Sequence, residues 1–85
     1  MASIDGKLRF YMLQNSIVKN LSVQSQKTLP ESLLFFFVAM DNRSLPVSYD
    51  EFEAAISILR KEGRIVINDE EYDEPEITLV RRGTA

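Results

Sequence analysis

The side chains best suited to chemistry in this sequence are carboxylates. Six of the 13 acidic residues lie between Asp69 and Glu76. Carboxylates gathered in one loop can bind a metal ion, dock a basic partner, or keep the loop solvated. The first acids alternate as in a calcium loop, but Glu74 stands where such a loop needs glycine. We therefore expect no metal site, and docking and simple solvation stay open as interpretations.

Two residue types that are common in catalytic sites are missing. The chain of 85 residues contains no Cys and no His, which excludes zinc–thiolate sites, a thiol nucleophile and an imidazole base. Its three glycines do not form a phosphate-binding loop. The clustered acids lie in a loop with no apolar pocket that would raise a carboxyl pKa. We expect no enzymatic activity and no cofactor.

Charge is divided unevenly along the chain. The net charge is −3 at pH 7, yet residues 1–47 carry +2 and residues 48–85 carry −5. Several bases on or near the first helix could form a phosphate-contacting stripe, or simply a solvated face. The cations available for nucleic acid are Lys7, Arg9, Lys19, Arg43, Arg60, Arg64, Arg81 and Arg82.

The size and composition are those of one small folded domain. Hydrophobic residues make up 45% of the chain and charged residues 27%. The longest apolar run, from Leu33 to Met40, has eight residues, whereas a membrane span needs about 20. No secretory signal pattern is visible. The sequence predicts a soluble intracellular protein of the cytoplasm or nucleus.

Two helices are predicted in the first half. The first covers about residues 7–21, where apolar residues recur at helical spacing. The second covers about residues 30–41 and follows Thr28 and Glu31, which have the spacing of a capping box. Because its run Leu33 to Val38 has no polar face, a buried strand would look the same, and the cap decides for a helix.

A third helix and two strands follow. Phe52 begins an apolar stripe over residues 49–62, Ser48 and Glu51 form a second capping box, and Gly63 ends the helix. Residues 64–68 and 76–81 are rich in β-branched side chains and predict an antiparallel hairpin. A short extended piece around Thr28 is expected to add a third strand.

This arrangement resembles a winged-helix domain. The likeness is strongest from Val47 to Val80, where a capped helix with a Phe-x-x-Ala-Ile-x-x-Leu stripe runs into Lys-Glu-Gly and then a strand. At fold level it covers about residues 7–82 of a single domain, 1–85. The layout is similar to the small C-terminal winged helices of minichromosome maintenance helicase subunits and of the middle subunit of replication protein A. The resemblance implies an α+β fold of three helices followed by a two-stranded wing.

DNA-reading winged helices place the third helix in the major groove and the wing along phosphates. Here the exposed start of that helix and the wing are both acidic. DNA affinity comes largely from cations that release counterions at phosphates, so acids at these positions oppose it. The roles of DNA contact in that superfamily therefore do not transfer to these positions.

The sequence predicts a protein–protein interaction module in a larger assembly that acts in DNA replication or transcription. An apolar contact patch is expected at Leu34, Phe35 and Phe37. The alternative is a small DNA-binding regulator or replication factor that uses the eight cations named above, and a homodimer through the Phe-rich helix is a lesser one. The residues expected to hold a basic protein partner are Asp50, Glu53, Asp69, Glu70, Glu71, Asp73 and Glu74.

Overall fold

A computed structural model of the chain describes residues 6–44, 46–69 and 74–80. The helices pack on a three-stranded antiparallel sheet with the strand order β1-β3-β2. The described residues thus form an α+β fold, as the sequence predicts, and the short third strand is part of it. The elements in chain order are α1 (Gly6–Ser22), β1 (Thr28–Pro30), α2 (Glu31–Asp41), α3 (Tyr49–Lys61), β2 (Ile65–Asn68) and β3 (Glu76–Leu79).

The central strand, β3, ties the two halves of the chain together. It pairs with β2 on one side and with β1 on the other. The hydroxyls of Thr28 and Thr78 lie 2.8 Å apart across the β1–β3 pair, and the Leu79 amide donates to the Lys27 carbonyl over 2.9 Å. The link between α1 and α2 is therefore held against the hairpin, which fixes where α2 begins.

One apolar core joins every element. Phe52 at its centre has no exposed surface, and the stripe predicted on the third helix faces inward. The burial of this much apolar side-chain area is what holds so small a domain together. The other buried hydrophobic residues are Leu13, Ile17, Leu21, Leu29, Leu34, Val38, Ala55, Ile56, Leu59, Ile65 and Ile77.

The predicted capping box of the second helix is wrong. Thr28 lies in β1, where its hydroxyl contacts the Gln26 carbonyl as well as Thr78, and no side chain of the N-cap residue Pro30 caps α2. The cap comes from far along the chain instead. The Glu74 carboxylate accepts hydrogen bonds from the Ser32 amide and hydroxyl, both over 3.1 Å. An acid at this place also complements the helix dipole.

The predicted apolar contact patch is wrong at Leu34, which is fully buried. Phe35 and Phe37 are half-buried and pack against the core. Leu34 and Val38 lie on the side of α2 that faces the core. Because side chains of one helix point in several directions, other apolar residues of α2 face solvent. The exposed apolar side chains of this helix are Leu33, Phe36 and Met40.

The ends of α3 form as the sequence predicts. The Ser48 hydroxyl accepts from the Glu51 amide over 3.1 Å, and the Glu51 carboxylate accepts from the Ser48 amide over 3.1 Å. After the helix, Gly63 has φ +76°, a conformation that favours glycine. These two ends fix the direction in which α3 presents its solvent-facing side chains.

Candidate functional site

An open groove lies where the start of α2, the exposed side of α3 and the β2–β3 hairpin meet; we call it the acidic groove. Its volume is about 260 Å³. Its lining combines apolar side chains with two carboxylates and one guanidinium. The lining residues are Glu31, Glu53, Ile56, Ser57, Arg60, Ile67 and Pro75.

Contacts between residues far apart in the sequence bring the start of α2 and the hairpin together at the acidic groove. The Glu31 amide donates to the Pro75 carbonyl over 2.9 Å, which fixes the hairpin beside the first residue of α2. The hydrogen bonds from Ser32 to the carboxylate of Glu74, the residue before Pro75, hold the same junction. Ile67 from β2 then lies across from the α3 wall.

Glu31 is the electrostatic centre of the acidic groove. Its partial burial raises the pKa of its carboxyl above the ordinary value, and the carboxylates of Glu53 and Glu74 raise it further. The Tyr49 hydroxyl opposes this by interacting with Glu31. Like charges held this close destabilise one another. A cation placed among these carboxylates would relieve that repulsion.

Tyr49 connects the acidic rim with the aromatic side of the core. Its ring meets that of Phe35 edge to face at a centroid distance of 5.5 Å. Burial raises the pKa of the Tyr49 hydroxyl, and its contacts with Glu53 and Glu31 raise it further. The hydroxyl therefore keeps its proton at neutral pH and can donate it to these carboxylates.

The predicted acidic residues have different surroundings. Asp50, Glu53 and Asp69 are exposed, and of these Glu53 lines the acidic groove. Glu74 is half-buried and serves as the cap of α2, so it contributes charge to the groove while it holds the fold. The remaining predicted wing acids, Glu70, Glu71 and Asp73, lie outside the described residues.

Arg9, predicted as a candidate for DNA contact, is engaged within the protein. Its guanidinium binds both carboxylate oxygens of Glu51, at 2.5 and 2.9 Å, and donates to the Pro46 carbonyl over 2.6 Å. The paired guanidinium and the Ser48 amide lower the pKa of Glu51 to about 2. This cation links α1 to the start of α3 and is not presented to a partner.

The other predicted cations are scattered. Lys19 lies 3.8 Å from Asp41, and Arg64 lies 3.9 Å from Glu62. Within the described part of the chain, Arg43 and Arg60 are exposed without an ion pair, and Lys7 is exposed on α1. Arg81 and Arg82 lie outside it. Lys7 and Lys19 lie on α1 and the others on later parts of the chain, and of these described cations only Arg60 lines the acidic groove.

The sequence reasoning missed Glu31, which lines the acidic groove, and Tyr49, which interacts with its two carboxylates. Glu31 was interpreted only as part of a cap, and Tyr49 only as the first residue of a helix. The spacing of Tyr49 and Glu53, one helical turn apart, was an available signal for their contact. The approach of Glu31 to that pair depends on how α2 packs beside α3, which no local pattern encodes.

No group of three potential metal ligands occurs within residues 6–44, 46–69 and 74–80. Across the same residues, none of the helices combines the length and the apolar character needed to cross a bilayer. Comparisons with protein-family models, curated proteins and solved structures gave no match.

Proposed function

We propose that the chain is a winged-helix domain that binds proteins within a larger assembly acting in DNA replication or transcription. The order of elements and the β1-β3-β2 sheet support this assignment of the fold. The observation that carries the function is the acidic groove, in which the carboxylates of Glu31 and Glu53 outnumber the one cation, Arg60, beside apolar side chains of α3 and the hairpin. In a DNA-reading winged helix, the third helix and the wing contact the DNA, and these are the elements that the acidic groove adjoins.

A segment with a lysine or arginine fits this groove. Long basic side chains combine an aliphatic stem with a charged head. The stem would pack on Ile56, Ile67 and Pro75, while the head would lie beside Glu31 and Glu53. Binding would relieve the repulsion among the carboxylates of Glu31, Glu53 and Glu74, which adds to the effect of burial on the pKa of Glu31. The partner surface proposed here is therefore basic with apolar neighbours.

DNA binding is the less supported alternative. Arg9 is held by Glu51, and Lys19 lies beside Asp41. The phosphates of a duplex at the acidic groove would face Glu31 and Glu53 rather than a row of cations, which removes the electrostatic gain of binding.

The proposal can be tested with hexalysine as the probe and the purified chain as the receptor. Replacing Glu31 and Glu53 together with glutamine should weaken binding about five- to tenfold, because each half-exposed charge contributes modestly. Glu62→Gln is the matched control, since this exposed acid lies outside the acidic groove. Isothermal titration at low salt measures the affinities. Equal losses for the control and the double variant would refute a localised site.

A further inference from the structure

The face of α2 that points away from the core is apolar over two helical turns. Leu33, Phe36 and Met40 lie there at helical spacing and are 40%, 54% and 48% exposed; we call these three residues the α2 stripe. The Phe36 ring also contacts the ring of Phe37, with a centroid distance of 5.9 Å. Polar side chains occur only at the first two positions and the last position of this helix.

The third helix differs from α2 on its solvent-facing side. Its exposed residues include Glu53, Arg60 and Lys61, so charged side chains keep that face in water. Single exposed apolar residues are common on protein surfaces, whereas a contiguous group of them marks a site of interaction. The α2 stripe is such a group, because its members lie on successive turns of one helix. It therefore indicates a surface that another molecule covers.

The charges at the two ends of α2 are opposite in sign, and they favour a second copy of the chain as that molecule. At the start, the carboxylates of Glu31 and Glu74 lie close enough to repel each other. At the end are Arg43, which is exposed, and Lys19, which is 68% exposed and lies 3.8 Å from Asp41. A second α2 that runs in the opposite direction would bring the acidic end of each helix to the more basic end of the other.

We propose that the α2 stripe joins two copies of the chain in an antiparallel dimer with twofold symmetry. A twofold axis lets one patch cover itself, so no other surface is needed. With the axis at the middle of the stripe, Phe36 packs near the same residue of the second copy, and Leu33 lies opposite Met40. The spacing of three and four residues along the stripe is the one by which paired helices interlock their side chains.

The size of the α2 stripe implies a weak dimer. Three partly exposed side chains cover less area than a standard interface, which buries about 800 Å² on each partner. Exposed ion pairs at the ends of the helices add little. We therefore expect association between about 10 μM and 1 mM. No residue of the stripe lines the acidic groove, so the two surfaces can be tested separately.

Sedimentation equilibrium of the purified chain over about 10 μM to 1 mM measures the association. The average mass should rise with concentration from that of one chain towards that of two. Phe36→Ala should weaken the association about tenfold, because the ring is lost from both copies. Tyr11→Ala is the matched control and should leave the association unchanged, since Tyr11 is an exposed aromatic residue that lies beside Ile58 of α3.

The direction of packing can be tested by disulfide formation, because the chain has no cysteine of its own. Leu33→Cys and Met40→Cys are oxidised separately and as a mixture. A disulfide needs Cα atoms within about 7 Å of each other. In the antiparallel dimer, two copies of the same variant place their cysteines about 10 Å apart along the helix axis. Linkage is therefore expected between the two variants and not within either.

Four results would overturn this proposal. The mass of a single chain up to about 1 mM would assign the α2 stripe to a different molecule, and a mass above that of two chains would mean an open assembly. Association that Phe36→Ala does not weaken more than Tyr11→Ala would place the interface elsewhere. Linkage within each cysteine variant, and not between them, would mean parallel packing. None of these results depends on whether hexalysine binds the acidic groove.

Discussion

Replacing Glu51 with glutamine should lower the free energy of unfolding by about 1 kcal/mol at neutral pH and by much less in acid. Glutamine at this position can still accept from the Ser48 amide, so the capping box is retained. The substitution removes only the negative charge that Arg9 grips through two hydrogen bonds. The contact that is weakened joins α1 to the start of α3.

The magnitude follows from the pKa of Glu51, which falls from 4.5 to about 2. At about 1.36 kcal/mol per pKa unit, the full effect would be about 3 kcal/mol. The Glu51 side chain is 35% exposed, so water screens the pair and reduces the contribution to about 1 kcal/mol. Because the folded-state pKa is lowered, this stability is present above pH 4.5 and is lost as the pH falls towards 2.

Urea denaturation followed by circular dichroism at pH 7, 5, 4 and 3 measures this effect. The difference between the parent and Glu51→Gln should be constant from pH 7 to 5 and shrink below that. Glu62→Gln serves as the control, since its contact with Arg64 is long and exposed. A loss that is the same at every pH would refute the reasoning, and so would an unchanged stability at pH 7.

Three further substitutions test the packing by urea denaturation. Leu34→Ala should lower the free energy of unfolding by about 2–5 kcal/mol, whereas Phe36→Ala, two residues on and half exposed, should cost less than about 1 kcal/mol; the reverse order would mean that the inward face of α2 is misassigned. Gly63→Ala should cost about 1 kcal/mol through backbone strain alone, because nothing lies within 4 Å of a Cβ there, and no loss would contradict the left-handed conformation. Glu74→Gln should cost about 0.5–1 kcal/mol by weakening the cap at Ser32, and a neutral result would count against that cap.

Local signals were enough to predict most of the secondary structure. The capping box of Ser48 and Glu51 and the stop at Gly63 act between neighbours in sequence, so the ends of α3 could be placed within one residue. The three-stranded sheet also followed from β-branched runs and one short extended piece. Where a pattern is generated by contacts within a few residues, the sequence displays it directly.

Long-range contacts explain the errors. The start of α2 is capped by Glu74, which lies 42 residues away from Ser32, so a local search found Thr28 instead. The run around Leu34 has no polar side, and only packing against α1 and α3 decides which side chains face inward. The sequence therefore gave no basis for choosing Phe36 over Leu34 as the exposed residue.

The sequence predicted that the candidate site is acidic, but it did not predict all of the residues that line it. The excess of acids in the second half of the chain led to an acidic site as the prediction, and Glu53, one of the predicted residues, lines the acidic groove. Glu31, Ile67 and Pro75 were not predicted, because they come together at the acidic groove only after α2 docks beside the hairpin.

The central claim, that the acidic groove receives a basic protein segment and not DNA, is tested most directly by one NMR titration. Labelled protein is divided between hexalysine and a 16-base-pair duplex under identical low-salt conditions. We expect hexalysine to shift the signals of Glu31, Glu53 and Ile67 saturably, and the duplex to leave them unmoved. Saturable shifts of the same residues with the duplex, and none with hexalysine, would contradict the claim.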